Sequence, residues 1–164
     1  MNQGSRQRLV LGRPGGGRVE IAPSALASLS RYVQRSPRAP ESGGVLLGRH
    51  IRDSRDMVID DVTTPMPGDR RSRFRFLRHH ARHQGVLDRA WATSGGTCTL
   101  IGEWHTHPEP DPAPSLIDQL TWRRKLMADE FSGHLVFLIV GTKSIRGWEG
   151  RRHGIRLRPL RGTD

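Results

Sequence analysis

The chain has 164 residues, enough for one domain with its own core and too few for two of ordinary size. It contains no run of about 18 apolar residues that could span a membrane, and its single cysteine, Cys98, excludes both an internal disulfide framework and a multi-cysteine zinc site. The formal charge of +11 is carried mostly by arginines spread along the chain, with dense stretches at 70–82 and 151–161, and it suits an acidic protein surface or, as the rival, nucleic acid.

Arg6 and Arg8 flank only a short apolar stretch, Leu9 to Leu11, which is not a secretory signal pattern, so a cytoplasmic protein is expected. Arg8 to Leu11 and Arg18 to Ile21 read as a short edge hairpin over about 8–22, turning at Pro14 and three glycines. Ser24 is placed to cap a helix with Leu26, Leu29, Tyr32 and Val33 at helical spacing, ended by Pro37 and Pro40. Glu41 opens the next element. Gly43 to Leu47 and Met57 to Thr63 read as strands, and Pro65 to Asp69 as a turn. Arg73 to Phe76 alternates as a further strand. From His79 to Trp91 the pairs Val86/Ala90 and Leu87/Trp91 mark a second helix, broken by Ser94-Gly95-Gly96. Thr97 to His107 reads as a central strand, Ser115 to about Met127 as a third helix, and Gly133 to Gly141 as a buried strand. Weaker strands follow around Trp148 and over Ile155 to Leu157. This order predicts an α/β (α+β) fold, with helices packed on a mixed sheet.

Chemistry concentrates between 41 and 118. On an extended segment His105 and His107 point to one side, about 7 Å apart along the backbone, while Trp104 and Thr106 face the other way. Pro108, Pro110, Pro112 and Pro114 force an irregular turn, and Asp118 falls in the first turn of the helix that Ser115 begins. Two imidazoles and a carboxylate make an open catalytic zinc site, and zinc so held brings the pKa of a water down to near neutrality. The same residues admit a plainer reading as ordinary strand histidines and a helix-capping Ser-x-x-Asp. Glu103 shares the strand face of the histidines and competes as a base. His79 and His83, four apart on a helix, suit a metal pair but lack a third ligand and read as solvated. Trp91, Trp104 and Trp122 read as core or groove walls, and Cys98 as a buried small hydrophobe.

The run from Gly102 to Gln119, His-x-His-Pro followed by Ser-x-x-Asp with ten residues between the second histidine and the aspartate, resembles the signature of the JAMM (JAB/MPN) metallopeptidases. Glu41, in Glu41-Ser42-Gly43-Gly44-Val45, stands where that family has its upstream glutamate. The resemblance covers about Ile21 to Leu157 and implies a single JAB/MPN-like domain over 1–164. It also implies zinc on His105, His107 and Asp118, with Glu41 as general base and Ser115 as the hydroxyl at the oxyanion, in hydrolysis of a peptide or isopeptide bond. Phe74-Arg75-Phe76, His83-Gln84, Gly102 to Glu109 and Trp122 resemble a bacterial branch that includes mobile-element proteins and the deconjugating peptidases of CBASS antiphage operons. That branch implies a protein substrate conjugated through its C-terminus, a nucleotide cyclase, with the Arg-rich face docking an acidic partner. A DNA-repair-associated branch that binds nucleic acid, and inactive scaffold members, are the alternatives.

Overall fold

The computed structural model describes residues 7–128, 131 and 133–162, so Arg6 lies outside the described residues. Strands β1 (Leu9–Gly12) and β2 (Arg18–Ile21) form the expected hairpin, with Gly16 and Gly17 both at positive φ in its turn. Helix α1 (Pro23–Ser30) starts two residues earlier than the sequence suggests. Ala22 is its N-cap and Pro23 its first residue, and the Ser24 hydroxyl does not cap but donates to Asp60 O at 3.1 Å. Arg31 and Tyr32 bond back three residues, to Ser28 O and Leu29 O. The tightened turn closes the helix at Ser30, while Tyr32 and Val33 still pack on the core.

Strands β3 (Gly43–His50) and β4 (Met57–Val62) follow. The alternating Arg73 to Phe76 is not one strand. It straddles the turn of a separate hairpin, β5 (Arg70–Ser72) with β6 (Arg75–Leu77), in which Phe74 is 73% exposed under the Arg73 guanidinium. Helix α2 (His80–Thr93) corrects two readings. His83 is fully buried, its Nδ1 2.6 Å from Thr63 Oγ1 and its Nε2 3.0 Å from Asp69 Oδ2. Trp91 is 57% exposed, lying over the helix end beside Gly96 rather than in the core. Cys98 is half-buried just before β7 (Thr99–Thr106), and burial pushes its thiol pKa up. Helix α3 (Leu116–Ala128), β8 (His134–Val140) and β9 (Ile145–Arg151) match expectation. The next strand, β10 (Leu157–Pro159), starts where Ile155 to Leu157 was expected to end, and a two-residue β11 (Arg161–Gly162) was not foreseen.

Among the described residues one mixed sheet takes nine strands in the order β10-β9-β8-β7-β3-β4-β2-β1-β11, with β2/β4 and β7/β8 parallel. β10 and β11 are joined through Leu160 alone, yet they stand at opposite ends of that order. The sheet therefore curls until its edges meet. Leu160 is buried at the seam, donating its N–H to Gly147 O at 2.8 Å, and Arg13 from the first turn pairs with Glu149 of β9 at 2.7 Å, both side chains buried. This closure leaves the main sheet few free edges.

Strand β8 explains its own unbroken apolar run. Val136, Leu138 and Val140 join the α1-side core with Leu29, Leu46, Ile59, Ile101 and Trp104, while Leu135, Phe137 and Ile139 pack with Trp122 and Leu126 of α3 on the other face. Each such side chain contributes about 1.5–3 kcal/mol when fully buried, so β7 and β8 form a stiff floor under whatever lies at their C-terminal ends. No described helix is long and apolar enough to cross a membrane.

Candidate metal centre

β7 ends at Thr106, beside the start of β3 and the end of β8. The Thr106 N–H donates to Ser42 O at 2.9 Å and the His107 N–H to Val140 O at 3.0 Å, so the two histidines leave the strand between two rigid neighbours. The proline-rich loop then folds onto the β8–β9 turn. Thr142 and Ser144 donate to Glu109 O and Pro110 O at 2.8 and 3.1 Å, and Arg146 pairs with Asp111 at 2.9 Å. That fold-back returns the first turn of α3 over the strand end. Ser115 and Asp118 cap each other: Asp118 Oδ2 accepts from both the Ser115 N–H and its hydroxyl at 2.7 Å, and Asp118 N–H donates to Ser115 Oγ at 3.1 Å. The capping is thus observed, and it is compatible with a ligand role for Asp118.

Three side chains converge. His105 Nε2 and His107 Nε2 are 3.0 Å apart, and they lie 3.2 Å from Asp118 Oδ1 and 3.3 Å from Asp118 Oδ2 respectively. Among the described residues this is the only such group that could hold a metal ion. A tetrahedral ion with bonds near 2.0–2.1 Å keeps its donors about 3.3 Å apart, so the spacing fits a small cation. Glu109 Oε2 lies 3.7 Å from His107 Nδ1, on the side away from the centre. Burial favours a protonated Asp118, but hydrogen bonds from His105 and His107, their charge and Ser115 hold its carboxyl far below the usual range. Burial also lowers His107, and it is outweighed by the hydrogen bond and charge of Asp118, with Glu41 and Glu109, so its pKa ends above the ordinary value.

Glu41 precedes β3 by two residues and is only 7% exposed. Register Gly43↔His105 brings it to the centre across 64 residues of chain. No described residue hydrogen-bonds its carboxylate. Burial pushes its pKa from 4.5 up to about 7; His105 and His107 pull it down and Asp118 pushes it up by less. Glu103 faces the same cleft but is bonded to Arg78 and lies 2.6 Å from Lys125 Nζ. Burial alone raises its pKa, yet these cations more than compensate, so it stays ionised and engaged. Such a carboxylate is a poor proton acceptor compared with Glu41.

The cleft holds about 480 Å³. Phe74 to Arg78 from the small hairpin form one wall, Ile117, Thr121, Trp122 and Lys125 of α3 the other, and Glu103, Trp104 and His105 the floor. Trp122 stacks on Phe137 at 4.7 Å and stands 6.0 Å from His105. Arg78 and Lys125 were not anticipated from sequence. For Lys125 the signal was there, since Asp118, Trp122 and Lys125 fall at i, i+4 and i+7 on one helix face.

The profile of the prokaryotic homologs of the JAB domain matches residues 23–152. A Vibrio cholerae serotype O1 protein named CD-NTase/cGAS isopeptidase is 39% identical over 134 residues, 82% of this chain and 81% of its own. Proteins of the same name from Pseudomonas aeruginosa and Escherichia coli are 37% and 35% identical over 77% and 82% of this chain, and 79% and 81% of their own. A solution structure from Desulfitobacterium hafniense shares the fold, with a TM-score of 0.55 at 20% identity over 83% of this chain and 84% of its own. The match runs from the first residue of α1 to one residue past the end of β9, taking in Glu41 and the whole of the convergent histidine and aspartate cluster, and on that extent the chain belongs to the prokaryotic homologs of the JAB domain.

Proposed function

We propose that this chain is a zinc-dependent isopeptidase that releases a protein joined through its C-terminus to an amine, and that the joined protein is a nucleotide cyclase. The observation that supports it best is the convergence of Glu41 on the His105, His107 and Asp118 cluster in one open cleft. Relatives at 35–39% identity carry the name of an isopeptidase acting on such a cyclase.

His105, His107 and Asp118 are the zinc ligands in this reading, a donor set of two neutral imidazoles and one carboxylate that leaves a position open. Zinc supplies Lewis acidity there, acidifying water and polarising the substrate carbonyl. Glu41 takes a proton from the attacking water and returns it to the leaving amine, and its elevated pKa matches that exchange near neutrality. The Ser115 hydroxyl, which donates to Asp118 at 2.7 Å, turns to the carbonyl oxygen as negative charge develops. Stacked Trp122 and the hairpin keep bulk water from two sides of the cleft. The experiment is incubation of wild type and Glu41→Ala with the whole cyclase joined to a lysine-bearing target. Cleavage by wild type alone, stopped by a chelator and restored by zinc, supports the reading. Equal cleavage by both proteins ends it.

A further inference from the structure

Among the described residues, both backbone polar groups of Glu41 are bonded to the small hairpin and neither to the nine-stranded sheet. The Glu41 N–H donates to Ser72 O at 2.8 Å, and its carbonyl accepts from Arg71 Nε at 3.0 Å. Arg71 Nη2 also reaches the Ser42 hydroxyl at 2.5 Å. One residue later the anchorage passes to the sheet, where Ser42 N–H donates to Thr106 Oγ1 and Ser42 O accepts from Thr106 N–H, both at 2.9 Å. Phe76 seats the hairpin on this junction so closely that a Cβ at Gly43 would meet its Cδ1 at 2.5 Å.

With no hydrogen bond from a described residue to its carboxylate, Glu41 is aimed by its backbone and by the walls around it. The planar fork of an arginine fixes two neighbouring acceptors at once, and here it holds the Glu41 carbonyl plane relative to Ser42, hence the direction of the Glu41 side chain. Resting on the reading of Glu41 as the base, we infer that Arg71 is a positioning residue for it: the guanidinium, through the Glu41 carbonyl and the Ser42 hydroxyl, holds the carboxylate in line with the centre without touching substrate or metal. A base displaced by about 1 Å can lose about 100-fold in rate while the cleft and the ligands stay intact.

The test compares Arg71→Ala and Arg71→Lys with wild type in the zinc-loaded full chain. The expected result is a kcat lowered about 10 to 100-fold in Arg71→Ala, with KM and zinc content unchanged. Arg71→Lys should fall between, because an ammonium lacks the fork, and free guanidinium at a non-denaturing concentration should restore part of the loss in Arg71→Ala. In a Glu41→Ala background the same change should have no further effect, since a positioning group has nothing left to position. Amide exchange at Glu41 and Ser42 reads the anchor without any turnover and should speed up in Arg71→Ala. An unchanged kcat, a rise in KM alone, or an additive loss in the Glu41→Ala background overturns the assignment. If wild type cleaves no conjugate, the isopeptidase reading fails by itself, and unchanged exchange at Glu41 then overturns the anchor too. Should Arg71→Ala not fold, Arg71→Lys carries the same comparison.

Discussion

Glu41→Gln should make the metal-free protein more stable at pH 8 and nearly inactive once zinc is restored. Glu41 is 7% exposed, no described residue hydrogen-bonds its carboxylate, and burial moves its pKa from 4.5 to about 7. Below pH 4.5 the group is protonated in folded and unfolded chains alike and contributes nothing. Between 4.5 and 7 the folded state keeps a proton that the unfolded state has lost, so stability falls as pH rises, and above 7 the full cost is present. Two and a half pH units at about 1.4 kcal/mol each give roughly 3 kcal/mol, which for a chain of this length is roughly 6 to 12 °C in Tm. Gln keeps the shape and removes the charge. The assay is urea and thermal unfolding of chelator-treated wild type and Glu41→Gln at pH 5 and pH 8, because a bound cation would offset part of the cost. The gap should be wide at pH 8 and narrow sharply by pH 5, and turnover of the zinc-loaded variant should drop about 100 to 10,000-fold. A gap of the same size at both pH values, or a variant less stable at pH 8, would refute the idea that the site keeps a poorly solvated carboxylate for use as a base.

Wild type should hold about one zinc per chain by elemental analysis, and His105→Ala and Asp118→Ala should each lose it, because three ligands leave little redundancy. Glu103→Gln leaves Arg78 and Lys125 facing a neutral amide and should cost about 1–3 kcal/mol in urea unfolding while harming kcat less than Glu41→Gln. Because Glu103 is held below its ordinary pKa, that stabilisation is present above pH 4.5 and fades on acidification, so the gap to wild type should close at low pH. His83→Ala removes the imidazole partner from the buried Thr63 hydroxyl and the Asp69 carboxylate, each of which keeps backbone N–H donors, and should cost about 3 kcal/mol by the same measurement. A whole-cyclase fusion should be cut much faster than a peptide of its last residues, and raised salt should shrink that advantage by screening arginine contacts; equal rates on both would remove the docking surface from the account.

What the sequence carried well was local. The histidine spacing, the proline turn and the capped first turn of α3 all lie within 102–119, where alternation and helix periodicity place side chains without knowledge of the rest of the fold. β8 was equally plain, because a strand covered on both faces needs an unbroken apolar run. The small hairpin was misread because the alternation over Arg73 to Phe76 runs across a turn: Phe74 lies between β5 and β6, its ring exposed beneath an arginine. His83 was misread for the opposite reason. Its burial depends on Thr63 and Asp69, 20 and 14 residues away, and nothing on its own helix announces them.

The meeting of Glu41 with His105, His107 and Asp118 lay beyond local reasoning altogether. It depends on the start of β3 pairing with the end of β7 so that Gly43 stands opposite His105, and a slip of one residue there would turn every side chain of the strand to the other face of the sheet. That register is held by Thr106 bonded to Ser42 on one side and by the Thr63 hydroxyl accepting from Val45 N–H on the other, at 2.8 to 2.9 Å. Thr63 in turn faces His83 with its hydroxyl and takes the Trp104 indole N–H on its carbonyl at 2.9 Å. One threonine thus couples β3, α2 and the inner face of β7. The alignment of Glu41 therefore rests on a buried polar network behind the sheet as much as on the hairpin in front of it. Loss of His83 should accordingly reach the chemistry through the register of β3, although the imidazole belongs to no ligand set.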